Sequence, residues 1–382
     1  MTDETRLTDE LTRRAERVHA APLSFESVRG RAQTIRRRRR AAAATGVAAA
    51  VAAVVLLPAV LSGGSDRSAP DPAPPAPAPP GSSVLHDGVV TLPDGSTVPV
   101  DVDNADVSQM GVLTDGRIVL ALAQPQSIRV YGADGSLDDT YPAFANEITV
   151  SADDGAVAWV AKDRTVRVLT SGTAEPATLP GIPLQNQTSG NIDAVLDAEH
   201  LLVGDGSTTN GLLTSTGIED LRTSEDLRVQ DVSPDGDLWA VSYAAPEDPQ
   251  FGCSGLYDPG AQTMVARSCD TSGLRFSPDG QHLLGMRGDN NMYGEVSTFD
   301  LDLEQVGTFT PTGKTAVVSR AGWADATHLL VGVTDWKLGL ADVDTNPWSL
   351  VRVGLGGEDP EVVTPEGPGR NPEFVAEFVV SE

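Results

Sequence analysis

The chain has 382 residues, and its 27 Lys and Arg against 54 Asp and Glu give a formal net charge of −27. This acidity argues against a nucleic-acid-binding body, because phosphate binding depends on Lys and Arg. Two cysteines exclude a disulfide-dense scaffold and a four-cysteine zinc site. Hydrophobic residues make up 40% of the chain, enough for a sizeable core, which excludes a wholly disordered protein.

The charge is distributed unevenly along the chain. Residues 1–40 contain 11 basic and 6 acidic residues, a net charge of +5, so the remainder carries −32. An uncharged run of 21 residues, from Ala41 to Leu61, follows directly. As a helix this run would span roughly 31 Å, the thickness of a bilayer core. The leader ends in five consecutive basic residues, Arg36, Arg37, Arg38, Arg39 and Arg40.

We therefore predict a single transmembrane helix over residues 41–61. A buried core helix would not lie between five arginines and a proline-rich stretch. A cleaved signal peptide is an alternative, since ten of the 21 residues are alanine, but the 40 residues before the run exceed a usual n-region. The positive-inside rule places residues 1–40 in the cytoplasm and the C-terminal body outside the plasma membrane.

Residues 1–40 form a basic leader that we expect to be mostly helical, because Leu7, Leu11 and Val18 recur at helical spacing. Its arginines can bind anionic lipid headgroups, or the leader can dock a cytoplasmic factor. The stretch from Leu11 to Arg40 resembles the cytoplasmic leader of single-pass actinobacterial envelope proteins, some of them anti-sigma regulators. The zinc motif of the zinc-dependent members is absent, since no cysteine lies near His19.

Residues 62–83 form a proline-rich linker. Seven of the eleven residues from Pro70 to Pro80 are proline. This composition cannot bury a core and favours an extended polyproline stalk of about 3.1 Å per residue. The linker would hold the C-terminal body away from the membrane.

Residues 84–382 are predicted to be all-β, because short β-rich runs alternate with Gly, Pro, Asp and Asn turns. Six segments share one pattern, a strand, a tight turn and an apolar strand, and the apolar strands would bury Trp159 and Trp239. The turns are 39, 44, 37, 44 and 46 residues apart. A period near 42 residues with about four strands is the size of a β-propeller blade. The turns are centred on Gly116, Gly155, Glu199, Gly236, Gly280 and Ala326.

Two of these turns, Ser233–Gly236 and Ser277–Gly280, read Ser-Pro-Asp-Gly. They resemble the turns of the TolB/WD40-like β-propeller repeat family, and the likeness extends over residues 105–355. It implies a propeller of six or seven blades. The hairpin from Gly88 and the segment from Phe374 are left over, so either they close a six-bladed ring or they form a composite seventh blade. A pair of β-sandwiches is the alternative fold.

The two cysteines, Cys253 and Cys269, flank one predicted hairpin with its turn near residues 258–260. They lie symmetrically about residue 261, so they can face each other on antiparallel strands. We predict a disulfide, which fits an oxidising exterior. Two buried free thiols are the alternative.

We predict no catalytic, cofactor or metal site. Three histidines share one repeat position, but equivalent positions in different blades lie too far apart to bind one zinc ion. Paired acids are conceivable calcium ligands, although aspartates in turns usually bond their own backbone. Gly-x-Ser-x-Gly, P-loop and His-Glu-x-x-His motifs are absent from the sequence. The residues in question are His200, His282, His328, Asp101, Asp103, Asp106, Asp138, Asp139, Asp153, Asp154, Asp300, Asp302, Asp342 and Asp344.

The function that we expect is non-enzymatic: a membrane-anchored, extracytoplasmic propeller that acts as a binding, sensing or scaffold module at the bacterial cell envelope. Its partners would be the bilayer and an envelope protein or glycan, and no nucleic acid. One alternative is an anti-sigma-like transmembrane regulator whose leader binds a cytoplasmic factor. A second alternative is a propeller hydrolase or lyase, because fold alone does not specify chemistry.

Overall fold

The computed structural model of the protein describes residues 81–182, 191–221, 223, 225–244, 252–287, 294–313, 316–335, 346–357, 360–369 and 379–380. The predicted leader, transmembrane helix and nearly all of the linker lie outside these residues. Within them, no helix combines the length and the apolar character needed to cross a membrane.

In the described residues, 28 strands form seven antiparallel four-stranded sheets, which are the blades of a propeller. Blades 1 to 3 contain β1 (Val84–His86), β2 (Val89–Thr91), β3 (Thr97–Pro99), β4 (Val107–Val112), β5 (Ile118–Leu122), β6 (Ser127–Tyr131), β7 (Leu137–Pro142), β8 (Thr149–Val150), β9 (Ala156–Val160), β10 (Val166–Thr170) and β11 (Ala177–Leu179). A 3₁₀ turn at Asn104–Asp106 precedes β4.

Blades 4 to 7 follow in chain order. Their strands are β12 (Asn191–Asp197), β13 (His200–Gly204), β14 (Thr209–Thr214), β15 (Gly217–Asp220), β16 (Arg228–Val232), β17 (Trp239–Ala244), β18 (Gly252–Asp258), β19 (Thr263–Ser268), β20 (Ser272–Phe276), β21 (Leu283–Arg287), β22 (Glu295–Phe299), β23 (Gln305–Phe309), β24 (Ala316–Asp325), β25 (His328–Asp335), β26 (Asn346–Gly354) and β27 (Glu361–Gly369). The last strand, β28 (Val379–Val380), joins blade 1.

Each blade has an innermost strand a, two middle strands b and c, and an outer strand d. The innermost strands lie side by side around the axis: β12 contacts β8 and β16, β16 contacts β20, and β28 contacts β4 and β24. The outer strands are exposed where their burial is described: β7 is largely solvent-accessible, and so are residues 361–363 of β27. The propeller that the repeat resemblance implied is therefore confirmed.

The middle strands are buried on both faces because each blade packs against two neighbours. Every residue of β5 and of β9 is buried, which explains why these strands are continuous apolar runs. Seven hydrophobic clusters lie one at each border between blades. Trp159 and Trp239 are core residues, as predicted, with 1% and 5% of their surface exposed.

Blade 1 closes the ring and is built from both ends of the described chain. Its strand a is β28, which pairs with β1 through Val84 with Val380 and Leu85 with Val379. The propeller thus has seven blades with a composite first blade, and the six-bladed alternative is wrong. Six repeat turns appear in the sequence because the seventh a–b turn is replaced by the point where the chain enters β1.

A hydrophobic cluster lies at the border between blades 7 and 1. Its buried residues are Val84, Leu330 and Leu350, with Ala324 packed against them. The segment before β1 reinforces this border, because the Ser82 amide donates to the Trp323 carbonyl at 2.6 Å. Ring closure thus combines this apolar contact with the pairing of β1 and β28.

We predict that deleting residues 379–382 lowers the melting temperature by about 5 °C or more and promotes aggregation, because β1 becomes an unpaired edge. Calorimetry and size-exclusion chromatography of the propeller measure both effects. Deleting residues 381–382 alone, which lie beyond β28, is the matched control. Equal melting temperatures for the two deletions would show that β28 does not close the ring.

Candidate interaction surface

The strand order gives the propeller two different faces. The a–b and c–d connections emerge on one side, here called the turn face. The b–c connections and the d–a connections between blades emerge on the other side, here called the loop face. Contacts between turns of adjacent blades support this arrangement, since the Thr114 amide donates to the Asp154 carbonyl at 2.9 Å.

On the turn face, the Ser-Pro-Asp-Gly turns are held by their own side chains. Ser233 Oγ donates to Asp235 Oδ1 at 2.8 Å and accepts from the Leu238 amide at 2.9 Å. Gly236 has a φ of 76°, in the left-handed region that favours glycine. The turn at Ser277 repeats these bonds, with Asp279 in the place of Asp235. The Ser-Pro-Asp-Gly signature therefore stabilises a tight hairpin turn.

The blade 3 turn has the same hydrogen bonds but a different residue at the glycine position. Ser151 Oγ donates to Asp153 Oδ1 at 2.8 Å, as in the other copies. Asp154 stands where the other turns have glycine, with a φ of 53°. Burial, reinforced by the neighbouring Asp153 carboxylate, raises the pKa of Asp154 to about 7. Asp154 therefore has an unfavourable backbone conformation, and its carboxylate is unfavourably removed from water.

The three repeat histidines lie in three different blades of the turn face, as the spacing predicted. His200 Nδ1 lies 2.8 Å from Asp197 Oδ1 and His328 Nδ1 lies 3.0 Å from Asp325 Oδ1, each within its own turn. The amide of His282 donates to Ser277 Oγ at 2.9 Å. Each histidine therefore belongs to a separate local turn.

Asp325 accepts several hydrogen bonds on the turn face. Burial acts to raise its pKa, but hydrogen bonds from Thr327, His328 and Arg352 outweigh it and hold the pKa well below the ordinary value. Arg117 has a similar role between blades 2 and 3: its guanidinium contacts Asp115 at 2.7 Å and donates to the Thr170 carbonyl at 2.7 Å. The basic groups Arg117 and Arg352 thus stabilise turns.

The remaining acids considered as calcium ligands do not converge. Asp300 Oδ1 accepts from the amides of Asp302 and Glu304, and Asp139 Oδ1 accepts from the Thr140 amide. Asp342 and Asp344 lie outside the described residues. Across the described ranges, no group of three or more His, Cys, Asp or Glu side chains is arranged to hold a metal ion.

The loop face of blade 3 presents a cation over an aromatic ring. The Arg164 guanidinium carbon lies 5.5 Å from the centroid of the Phe144 ring. Arg164 is exposed and has a φ of 68°, which is uncommon for a residue with a side chain. The backbone is held by the bond from the Lys162 amide to the Pro142 carbonyl at 3.1 Å. Within the described part of the chain, neither Lys162 nor Arg164 has an acidic partner.

The loop face of blade 5 carries a second pair of this kind. The Arg267 guanidinium carbon lies 5.1 Å from the centroid of the Tyr243 ring, and Arg267 also forms a two-pronged ion pair with Glu225. Arg267 remains 46% exposed. Tyr243 is paired across the sheet with Cys253.

Cys253 and Cys269 form a disulfide beside this pair. Cys253 lies near the start of strand c and Cys269 follows the end of strand d, so the bond joins strands c and d of blade 5 at the loop face. Ser254 pairs with Ser268 in the adjacent register position, which places the cysteines opposite each other.

The basic residues predicted to flank the membrane lie outside the described residues. They are Arg36, Arg37, Arg38, Arg39 and Arg40.

A buried carboxylate connects blades 4 and 5 near the axis. The Asp193 side chain is 1% exposed, accepts from Thr209 Oγ1 at 2.7 Å and lies 3.6 Å from the Arg228 guanidinium. Burial raises the pKa of Asp193 to about 6 despite these partners. A single buried carboxylate so engaged is a structural contact between blades.

Comparison with known proteins gives structural likeness alone. No family model matches the chain, and no curated protein matches it. Among solved structures, a TolB-like protein from Agrobacterium tumefaciens is 13% identical (TM-score 0.41, covering 64% of this chain and 91% of that one). The Cps50 (Swd1) β-propeller domain of Myceliophteria thermophila is 9% identical, with a TM-score of 0.49, and the match covers 71% of this chain and 88% of that one. A chain of a mitotic checkpoint complex is 13% identical, with a TM-score of 0.44, and the match covers 84% of this chain and 94% of that one.

We predict that Asp154→Gly stabilises the propeller, by roughly 1 kcal/mol from the left-handed backbone alone. The gain should be larger at pH 8 than at pH 5. The folded protein retains a proton on Asp154 that the unfolded chain releases near pH 4, so wild-type stability falls as the pH rises from about 4 to about 7. Urea unfolding at both pH values measures this. A pH-independent gain would contradict the elevated pKa and leave only the backbone effect.

We predict that Cys253→Ser with Cys269→Ser destabilises the propeller by about 3 kcal/mol, the loss expected for a cross-link spanning 16 residues. Denaturant unfolding with and without reductant measures it, and reductant should not affect the double variant. A wild-type protein that is equally stable in both conditions would contradict a stabilising bond.

Proposed function

We propose that the protein is a membrane-anchored, extracytoplasmic β-propeller that acts as a binding, sensing or scaffold module at the bacterial cell envelope. One observation carries this proposal: five consecutive arginines, an uncharged run of 21 residues and a proline-rich stretch lead directly into the first strand of a closed propeller. Basic residues next to a membrane-length apolar run are typical of a single-pass anchor with the basic side in the cytoplasm.

The propeller itself supports a binding role. Its turn face uses serines, aspartates and two arginines to stabilise the hairpins. Its loop face offers exposed arginines stacked on aromatic rings, a combination common at protein interfaces. The disulfide favours an oxidising compartment, in agreement with an extracytoplasmic body.

The test uses the full chain in bacterial cells. We expect it to resist extraction from membranes by alkaline carbonate and to become soluble when residues 41–61 are deleted. In spheroplasts, external protease should remove the propeller and spare a tag at the N-terminus. Deletion of residues 62–80, which leaves the apolar run intact, is the control and should preserve membrane association.

Replacing the five residues Arg36–Arg40 with glutamine should weaken or reverse the orientation, because these residues supply most of the positive charge beside the apolar run. Recovery of the unmodified chain in the soluble fraction would overturn the anchor. A protease-protected propeller would overturn the extracytoplasmic location.

A further inference from the structure

The point where the chain enters the ring distinguishes the two faces. Strand β1 is strand b of blade 1, and its antiparallel pairing with β28 starts at Val84. A strand b always begins on the turn face, where the a–b turns lie. The Ser82 amide donates to the carbonyl of Trp323, near the turn-face end of β24. The linker therefore reaches the propeller on the turn face, at the position of the missing seventh turn.

The turn face is poorly suited to contact a bacterial membrane. Aspartates occupy its turns in successive blades, and Arg117 and Arg352 on this face are ion-paired with Asp115 and Asp325. Anionic headgroups would repel such a surface. Residues 81–83 approach the ring on this face, so the loop face is the side of the ring opposite the point of chain entry.

The groups on the loop face are those that recognise proteins. Arg164 over Phe144 and Arg267 over Tyr243 are both there, and arginine and aromatic residues are enriched at interface hot spots. A guanidinium stacked on a ring keeps the N–H donors at its edge free for a carboxylate. Arg267 already binds Glu225, whereas Lys162 and Arg164 have no acidic partner in the described ranges. Blade 3 is therefore the more available of the two positions.

The blade 3 group is also held in place before binding. Arg164 has a positive φ in a short hairpin, and an added Cβ at Gly181 would come within 2.7 Å of the Arg164 carbonyl. The Phe144 amide donates to the Val160 carbonyl at 2.9 Å, which holds its backbone on the same blade, and its side chain packs against the hydrophobic cluster between blades 3 and 4. Uncommon backbone conformations that the surroundings enforce are concentrated at functional sites.

We propose that the blade 3 part of the loop face is a partner-binding surface, and that Lys162, Arg164 and Phe144 bind a protein that presents carboxylates. This inference rests on the proposed binding function. It adds the identity of the surface, the residues that make the contact and the chemistry of the partner.

The test places a benzophenone side chain on the full chain in cells that encode the protein. Gln126 is the loop-face site, because it is exposed and its carbonyl accepts from the Ala143 amide next to Phe144. Ser215, an exposed residue of the β14–β15 turn, is the turn-face site. We expect illumination to give one protease-sensitive adduct of defined mass from Gln126 and none from Ser215.

Charge variants then test the residues themselves. Arg164→Gln should lower the Gln126 adduct by about tenfold, as expected for an interface hot spot. Gln281→Glu lowers the net charge by the same amount on the turn face and should leave the yield of the Gln126 adduct unchanged. The melting temperature of both variants confirms that they fold. In a second assay, carbodiimide should couple the Lys162 amine to a partner carboxylate, and Lys162→Arg should abolish that coupling while preserving the Gln126 adduct.

Several results would overturn the inference: an adduct from Ser215, an adduct that resists protease because the partner is a glycan, no adduct from either site, or a Gln126 adduct unaffected by Arg164→Gln. Carbonate extraction of the same cells separates this from failure of the anchor. A chain in the soluble fraction contradicts the proposed function, whereas a membrane-bound chain with one of these results contradicts only the assignment of the surface.

Discussion

The packing of each blade against two neighbours is the constraint on which the rest of the structure depends. A single four-stranded sheet of this size has two apolar faces and cannot cover either alone. Burial of β5 and β9 over their whole length requires a blade on each side. An open row of blades would leave two apolar faces in water, so the stack has to close into a ring. Closure then determines where the two ends of the described chain meet.

Ring closure determines the side of the propeller on which the chain enters blade 1. Because β28 supplies the innermost strand of blade 1 and β1 the next one, the point of chain entry takes the place of one a–b turn. The side of the ring on which residues 81–83 lie is therefore fixed by the topology. The same topology separates two kinds of surface: the tight a–b turns lie on the side of chain entry, and the two arginine–aromatic pairs lie on the other side.

Much of the fold could be predicted because its strongest signals are local. The turn at Ser233–Gly236 needs a serine, an aspartate and a glycine within four residues, and its bonds are all within one hairpin. Repetition of that pattern near every 42 residues indicated blades. The cysteines were also predictable, since symmetric spacing about one turn places them opposite each other. The blade count was not, because the composite blade has no a–b turn and its strands lie at opposite ends of the body.

The features of the candidate surface depended on contacts that the sequence does not display. Arg164 is 20 residues from Phe144 and Arg267 is 24 residues from Tyr243. The first pair brings together the β9–β10 turn and the connection between β7 and β8, and the second joins β17 and β19 on the two sides of β18. The aspartate at the glycine position of blade 3 was visible, but its elevated pKa depends on burial by adjacent turns.

A comparison of the two faces gives the strongest physical reason to treat them differently. On the turn face, hydrogen bonds to Asp325 and Asp235 hold the hairpins, so a ligand that competed for these acids would weaken the turns. On the loop face, the exposed guanidinium of Arg164 can gain a carboxylate without losing an ion pair within the described residues. The cost of binding is therefore lower on the loop face, because its groups are already positioned and few existing bonds have to break. The described chain thus enters the ring on the face that its own hydrogen bonds stabilise, and the available guanidinium of Arg164 lies on the opposite face.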